Sequence, residues 1–132
     1  MDSPSVQLPD KQPTLRVVTM PSDTNILGNI FGGWVMSQVD IAASIPAIRR
    51  ARGRVATVAV NSFTFKHPIF VGDLVSFYAE VVKVGRTSIS VNVEVYAQRS
   101  KKQLIEVAKV TEATLTFVAL DDQLQPRVVP AE

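Results

Sequence analysis

The sequence predicts an α+β fold in which one long central helix is wrapped by a curled antiparallel sheet of about five strands. Two observations lead to it. From Gly33 to about Arg50 the chain is apolar nearly all round, as in a helix buried on most sides. After Gly53 the apolar period changes to two and holds through four long β-rich runs. No second helix is available as a cover, so a single sheet must curl round the first to bury it.

The elements follow in order. "TLRVVTM", Thr14 to Met20, reads as a short first strand, and "PSDTNILGN" as a loop with Pro, Asp, Asn and Gly turn formers. The helix presents Trp34, Val35, Met36, Val39, Ile41, Ala42, Ala43, Ile45 and Ile48; Pro46 should bend it or end it early, and Gly53 looks like its stop. Four strands are expected in "RVATVAVNSFTF", "DLVSFYAEVVKV", "TSISVNVEVYAQR" and "LIEVAKVTEATLTFVAL". The third is the clearest. Ile89, Val91, Val93, Val95 and Ala97 alternate with Ser90, Asn92, Glu94, Tyr96 and Gln98, giving one apolar and one polar face. "VGD" at Val71 to Asp73 and "GRT" at Gly85 to Thr87 read as turns between successive antiparallel strands. Proline and polar residues dominate 1–13 and 121–132, which predicts a disordered N-terminal segment and a flexible C-terminal tail around one domain spanning 14–120.

Composition narrows the function. The 132 residues are 46% apolar, enough for a core without disulfides or metals. There is no cysteine, so thiolate chemistry, disulfide frameworks and zinc ribbons are excluded together. No apolar run is long enough to span a bilayer and the start lacks the pattern of a signal peptide, so the expectation is a cytoplasmic protein with no membrane partner. A net charge of +2 is too small to argue for nucleic acid.

Asp40 is the residue that asks for an explanation, because a carboxylate on an apolar helix must be paired, hydrogen-bonded or functional. It follows Gly33 by two turns, about 10 Å along the axis on the same side of the helix. Ser37 and Ser44 extend a narrow polar stripe through it. Gly32 and Gly33 leave the first turn uncovered, so its free N–H groups and the positive end of the helix dipole can meet a polarised carbonyl. That is an oxyanion hole in outline. A carboxylate facing the same cleft can activate water or attack an acyl carbon, which together reads as acyl transfer to water. The structural alternative is a plain one: Asp40 pairs with a basic side chain or a hydroxyl, and the glycines serve packing or a tight turn.

"PSDTNILGNIFGGWVMSQVDIAAS", "GRVATVAVNSFTFKHPIFVGD" and "VVKVGRTSISVNVEVYAQ" resemble the hotdog-fold acyl-CoA thioester hydrolases of the bacterial YciA type, related to the cytosolic acyl-CoA hydrolases of animals. The resemblance covers roughly Thr14 to Leu120. It implies a sheet wrapped round a central helix, a homodimer with shared active sites, and further assembly into a hexamer as a trimer of dimers. The catalytic carboxylate falls on Asp40, the loop amide on Asn25 and the oxyanion donor on the backbone N–H near Gly33. It implies no metal and no prosthetic group, coenzyme A being part of the substrate and a product. Some hotdog proteins carry His before the two glycines, whereas this chain has Phe31, so the oxyanion role falls on backbone groups. The only histidine, His67 in "FKHPIF", reads as a surface or edge residue, which weakens a dehydratase reading.

Basic residues suit the other half of such a substrate. Arg49, Arg50, Arg52 and Arg54 cluster at the end of the helix, where Arg49 and Arg50 complement its dipole. Arg54, Lys83 and the turn of Gly85, Arg86 and Ser88, with Gly32 at the opposite end, are the candidate contacts to acyl-CoA, since Arg and exposed turn N–H groups match phosphate oxygens. Two alternatives stay open: a non-catalytic acyl-thioester-binding hotdog domain, and a hotdog hydratase.

Overall fold

The computed structural model describes residues 6–132, so the first five residues of the expected N-terminal segment lie outside the described residues. Its elements are β1 (Leu15–Val18), a 3-10 turn (Pro21–Asp23), α1 (Gly32–Ala51), β2 (Val55–Phe65), β3 (Leu74–Val84), β4 (Ser88–Lys101) and β5 (Leu104–Ala119). The strands form one antiparallel sheet in the order β1-β3-β4-β5-β2, open at both edges. The alternation on β4 holds throughout: Ile89, Val91, Val93, Val95 and Ala97 are fully buried. They share one core with Val35, Val39, Ala42, Ala43 and Ala47 of α1, small residues that let the helix lie close to the sheet. Each such valine contributes about 1.5–3 kcal/mol by leaving water.

The helix departs from its sequence reading in two ways. One face packs on the sheet, but Met36, Ile41 and Ile48 are 43, 48 and 45% exposed, because an open five-stranded sheet covers only one side of a helix. Pro46 does not end it either, and α1 continues to Ala51. Ala47 and Ala51 are fully buried beyond the proline, and their packing outweighs the roughly 3 kcal/mol that a proline costs inside a helix. The stop is one residue earlier than Gly53: Arg52 takes the left-handed conformation at φ +54°, its N–H returning to Arg49 O and Ile48 O.

The connection before β3 is also corrected. Val71 to Asp73 does not join a hairpin, because β2 lies beside β5 whereas β3 lies between β1 and β4. Residues 66–73 therefore cross from one edge of the sheet to the other side. Period-two patterning tells which way a side chain faces and is silent on which strand lies next to it. Asp73 fixes the crossing. Its buried carboxylate accepts the Phe70 N–H at 2.9 Å and Arg99 Nε and Nη2 at 3.1 and 2.8 Å. Gly85 to Thr87, by contrast, is a true hairpin turn between β3 and β4, with Gly85 N–H donating to Ser88 O at 2.8 Å.

The last segment, 121–132, was expected to be flexible from its prolines and polar residues, and here the structure differs. Val129 is buried in the core, and Arg50 Nη1 donates to Pro130 O at 2.6 Å. A single apolar anchor and backbone hydrogen bonds hold a segment whose composition alone gives no sign of order. Among the described residues no helix is long and apolar enough to cross a membrane.

Candidate active site

The start of α1 is open because of the residues that precede it. Phe31 at the N-cap offers no side-chain oxygen, and no acidic residue stands in the first turn. The N–H groups of Gly32 and Gly33 find no backbone acceptor among the described residues, leaving the positive helix end unoccupied by protein. A Cβ at Gly32 would lie 3.3 Å from the Phe65 ring, a tight approach, whereas nothing stands within 4 Å of one at Gly33.

The loop before the helix is folded by Asn25. Its Oδ1 accepts the N–H groups of Leu27 at 2.9 Å and Asn29 at 3.2 Å, an Asx turn, and its own N–H donates to Asn29 O at 2.7 Å. Among the described residues the side-chain NH2 makes no hydrogen bond, so it is available as a donor. Asn25 and Gly32 line one cleft of about 400 Å³ with Val35, Phe65, His67 and Ile69. His67 is exposed at its edge, as its position after a strand end predicts. Lys66 also lines the cleft and bonds Glu112 at 3.3 Å. Hydrogen bonds from Lys109 and Lys66 hold the Glu112 carboxyl below its ordinary range, so Glu112 is an ionised partner and no proton donor.

Asp40 does not reach this cleft within one chain, contrary to the reading that put it and Gly33 on a common cavity. Eight residues separate it from Gly32, about 12 Å along the axis, more than its short side chain can span. It sits half-buried instead, with the Thr57 hydroxyl of β2 donating to Oδ1 at 2.6 Å. Oδ2 makes no hydrogen bond among the described residues. The carboxylate thus has the hydroxyl partner that a structural role asks for and still keeps one oxygen free. The polar stripe is not a network: Ser37 is exposed and Ser44 Oγ donates to Ile41 O at 2.6 Å.

The basic residues gather at the opposite end of α1. Arg54 lines a second cleft of about 300 Å³ with Arg52, Gly53, Asp121, Asp122 and Arg127. Arg54, Lys83 and Arg86 are exposed and, among the described residues, in no salt bridge. The turn is less available than its sequence suggests, because the Gly85 N–H is already committed to Ser88 O. A Cβ at Gly85 would also stand 2.6 Å from Ser88 Oγ, so the glycine permits this close approach. Thr57, Phe65 and Lys66 were missed as site residues. Nothing in a strand's alternation marks which of its residues meets a helix carboxylate seventeen positions earlier.

Residues 27–103 match the thioesterase superfamily, and the chain belongs to it. More particularly, the chain is 45% identical over 126 residues to the acyl-CoA thioester hydrolase YciA of Escherichia coli (strain K12), with 95% of this chain and 96% of that protein covered. It has the hotdog fold. A hexameric hotdog-fold thioesterase of Campylobacter jejuni superimposes with a TM-score of 0.87 at 45% identity, covering 91% of each chain. An acyl-CoA hydrolase of Staphylococcus aureus, solved with butyryl coenzyme A and coenzyme A, gives a TM-score of 0.79 at 32% identity over 89% of this chain and 70% of that one.

Proposed function

We propose that the protein is an acyl-CoA thioester hydrolase whose active site is shared between two chains of a homodimer. The acyl carbonyl oxygen accepts hydrogen bonds from the first-turn N–H groups at Gly32 and Gly33, which stabilise the charge that develops on it. Asn25 positions water or the thioester through its free NH2. As general base, Asp40 takes a proton from water as the C–O bond forms, and that proton passes to the thiolate as the C–S bond breaks; as nucleophile, it displaces the thiolate to form an acyl anhydride, which water then hydrolyses, freeing the Asp40 carboxylate and supplying the proton. The products are a carboxylic acid and coenzyme A, with no resident metal or prosthetic group. This substrate class is an intracellular one, which goes with a cytoplasmic location.

One observation favours the shared site above all: β2 is an uncovered edge strand with Val58 and Val60 exposed, and the two halves of the site lie at its two ends. Antiparallel self-pairing of an edge strand brings its first half against the partner's second half. The first half of β2 holds Thr57, the partner of Asp40, and the second ends at Phe65, in the cleft of Asn25 and Gly32. The same pairing removes an exposed strand edge and covers apolar surface. Assembly of three such dimers into a hexamer is supported by the hexameric state of the Campylobacter relative.

From Asp40 to the end of α1 is about 16 Å, so the acid and the basic end of one chain are separated by a distance that a pantetheine arm can bridge. The phosphates of coenzyme A then meet Arg54, Lys83 and Arg86, with Gly85 and Ser88 shaping the turn. The direct test is thiol release from a panel of acyl-CoA substrates: binding without hydrolysis releases no thiol, and a hydratase changes the acyl chain while leaving the thioester intact. Arg86→Ala should raise KM for acyl-CoA more than it lowers kcat, because the contact is remote from the carbonyl. Acyl-pantetheine substrates should not register the change, and equal losses on both substrates would remove Arg86 from the phosphate site.

A further inference from the structure

The basic end is built as much by the C-terminal residues as by the turn. After β5 the chain reverses where Asp121 Oδ1 accepts the N–H groups of Gln123 and Gln125, both at 2.9 Å, with Leu124 at φ +63°. It then returns as a strap. Arg127 N–H donates to Ala119 O at 2.9 Å, and Val129 N–H to Arg86 O at 2.8 Å. The Arg127 guanidinium bridges two carbonyls, Nε to Leu120 O at 2.8 Å and Nη2 to Ala51 O at 2.7 Å. Leu120 N–H in turn donates to Arg54 O at 2.9 Å. Gly53 makes room for the clamp, since a Cβ there would come 2.9 Å from Arg127 Nη2. Three pieces of backbone are thereby tied together: the end of α1, the start of β2 at Arg54 and the Arg86 turn.

We propose that this strap is a positioning device for coenzyme A binding, with Arg127 and Val129 as its positioning residues. The inference rests on the reading that Arg54 and Arg86 receive the phosphates. Both arginines lie in connections between elements, Arg54 between α1 and β2 and Arg86 between β3 and β4, where backbone freedom would otherwise have to be lost on binding. The strap removes that freedom in advance. Arg127 acts here through backbone, its Nε and Nη2 being directed at Leu120 O and Ala51 O.

The test uses the full chain carrying Arg127→Gln, Arg127→Lys or Val129→Ala, assayed with an acyl-CoA and with the same acyl group on pantetheine. Each variant should raise KM for acyl-CoA about fivefold to tenfold, the scale expected for ordering side chains only at binding, with a much smaller change in kcat. KM for acyl-pantetheine should stay near wild type. Lysine cannot hold both carbonyls at once, so Arg127→Lys should do no better than Arg127→Gln; recovery by lysine would make Arg127 a charge contact and overturn the clamp. Unchanged KM in variants that fold by thermal melt, or equal rises on both substrates, would overturn it as well. Val129→Ala keeps the clamp testable if the Arg127 variants fail to fold. Arg54→Ala and Arg86→Ala, run beside them, separate the two failures. If these leave KM unchanged, the phosphate reading falls and takes the strap's role with it. If they raise KM and the Arg127 and Val129 variants do not, the strap alone falls.

Discussion

Asp40→Asn is expected to leave the fold intact and to lower turnover by about 10²-fold to 10⁴-fold, the range for loss of an acid–base group. The fold should survive because the replacement keeps an oxygen where Oδ1 accepts the Thr57 hydroxyl at 2.6 Å, and the site is only half-buried. What disappears is the carboxylate oxygen that has no partner among the described residues. Thr57→Val is the companion variant. It leaves the carboxylate in place and removes its hydroxyl donor, so turnover should fall by about tenfold, the lower end for a hydrogen bond to a charged group at an exposed position. Thiol release measured beside thermal melts decides between the roles. A folded, active Asp40→Asn with a lowered melting temperature would make Asp40 a structural partner of Thr57 and nothing more.

What the sequence made legible is what depends on local periodicity. The alternation from Ile89 to Ala97 gives the buried face of β4 residue by residue, and all four long strands stand where period two places them. The paired glycines mark the helix start within a residue. Sheet order is a different matter, since a turn-like "VGD" looks the same whether it closes a hairpin or ends a crossing from one edge to the other. The apolar pattern carried the helix to about Arg50, close to its end at Ala51, but that Pro46 would not cut it short was hidden, because the packing that holds Ala47 and Ala51 comes from remote strands. At the site, the residue types were readable and their grouping was not. Asn25 and Gly32 meet in one cleft while Asp40 turns to β2, and this separation reflects an axial rise of about 12 Å together with the position of Thr57. An apolar-all-round helix was read as buried within its own chain. The exposed Met36, Ile41 and Ile48 show that the same pattern is written by a helix with one face in the core and another at the surface.

The proposed shared site is tested by mixing two defective chains. Asn25→Ala deletes the free NH2 of the loop, and Asp40→Ala deletes the carboxylate; each homodimer should be nearly inactive, because every one of its sites carries a lesion. The loop should keep its shape in the first variant through backbone bonds that remain, Asn25 N–H to Asn29 O at 2.7 Å and Phe31 N–H to Asp23 O at 3.0 Å. Unfolded and refolded together in equal amounts, the two chains pair at random, and about half the dimers are mixed. If Asn25 of one protomer works with Asp40 of the other, two-fold symmetry gives each mixed dimer one intact site and one doubly defective site. Activity should then return to roughly a quarter of wild type per chain. A site built from Asn25 and Asp40 of the same chain yields no recovery at all, since every site in the mixture would still lack one group. No return of activity, with mixed dimers demonstrated by mass, would end the shared-site arrangement while leaving the assignment of acyl-CoA hydrolysis standing.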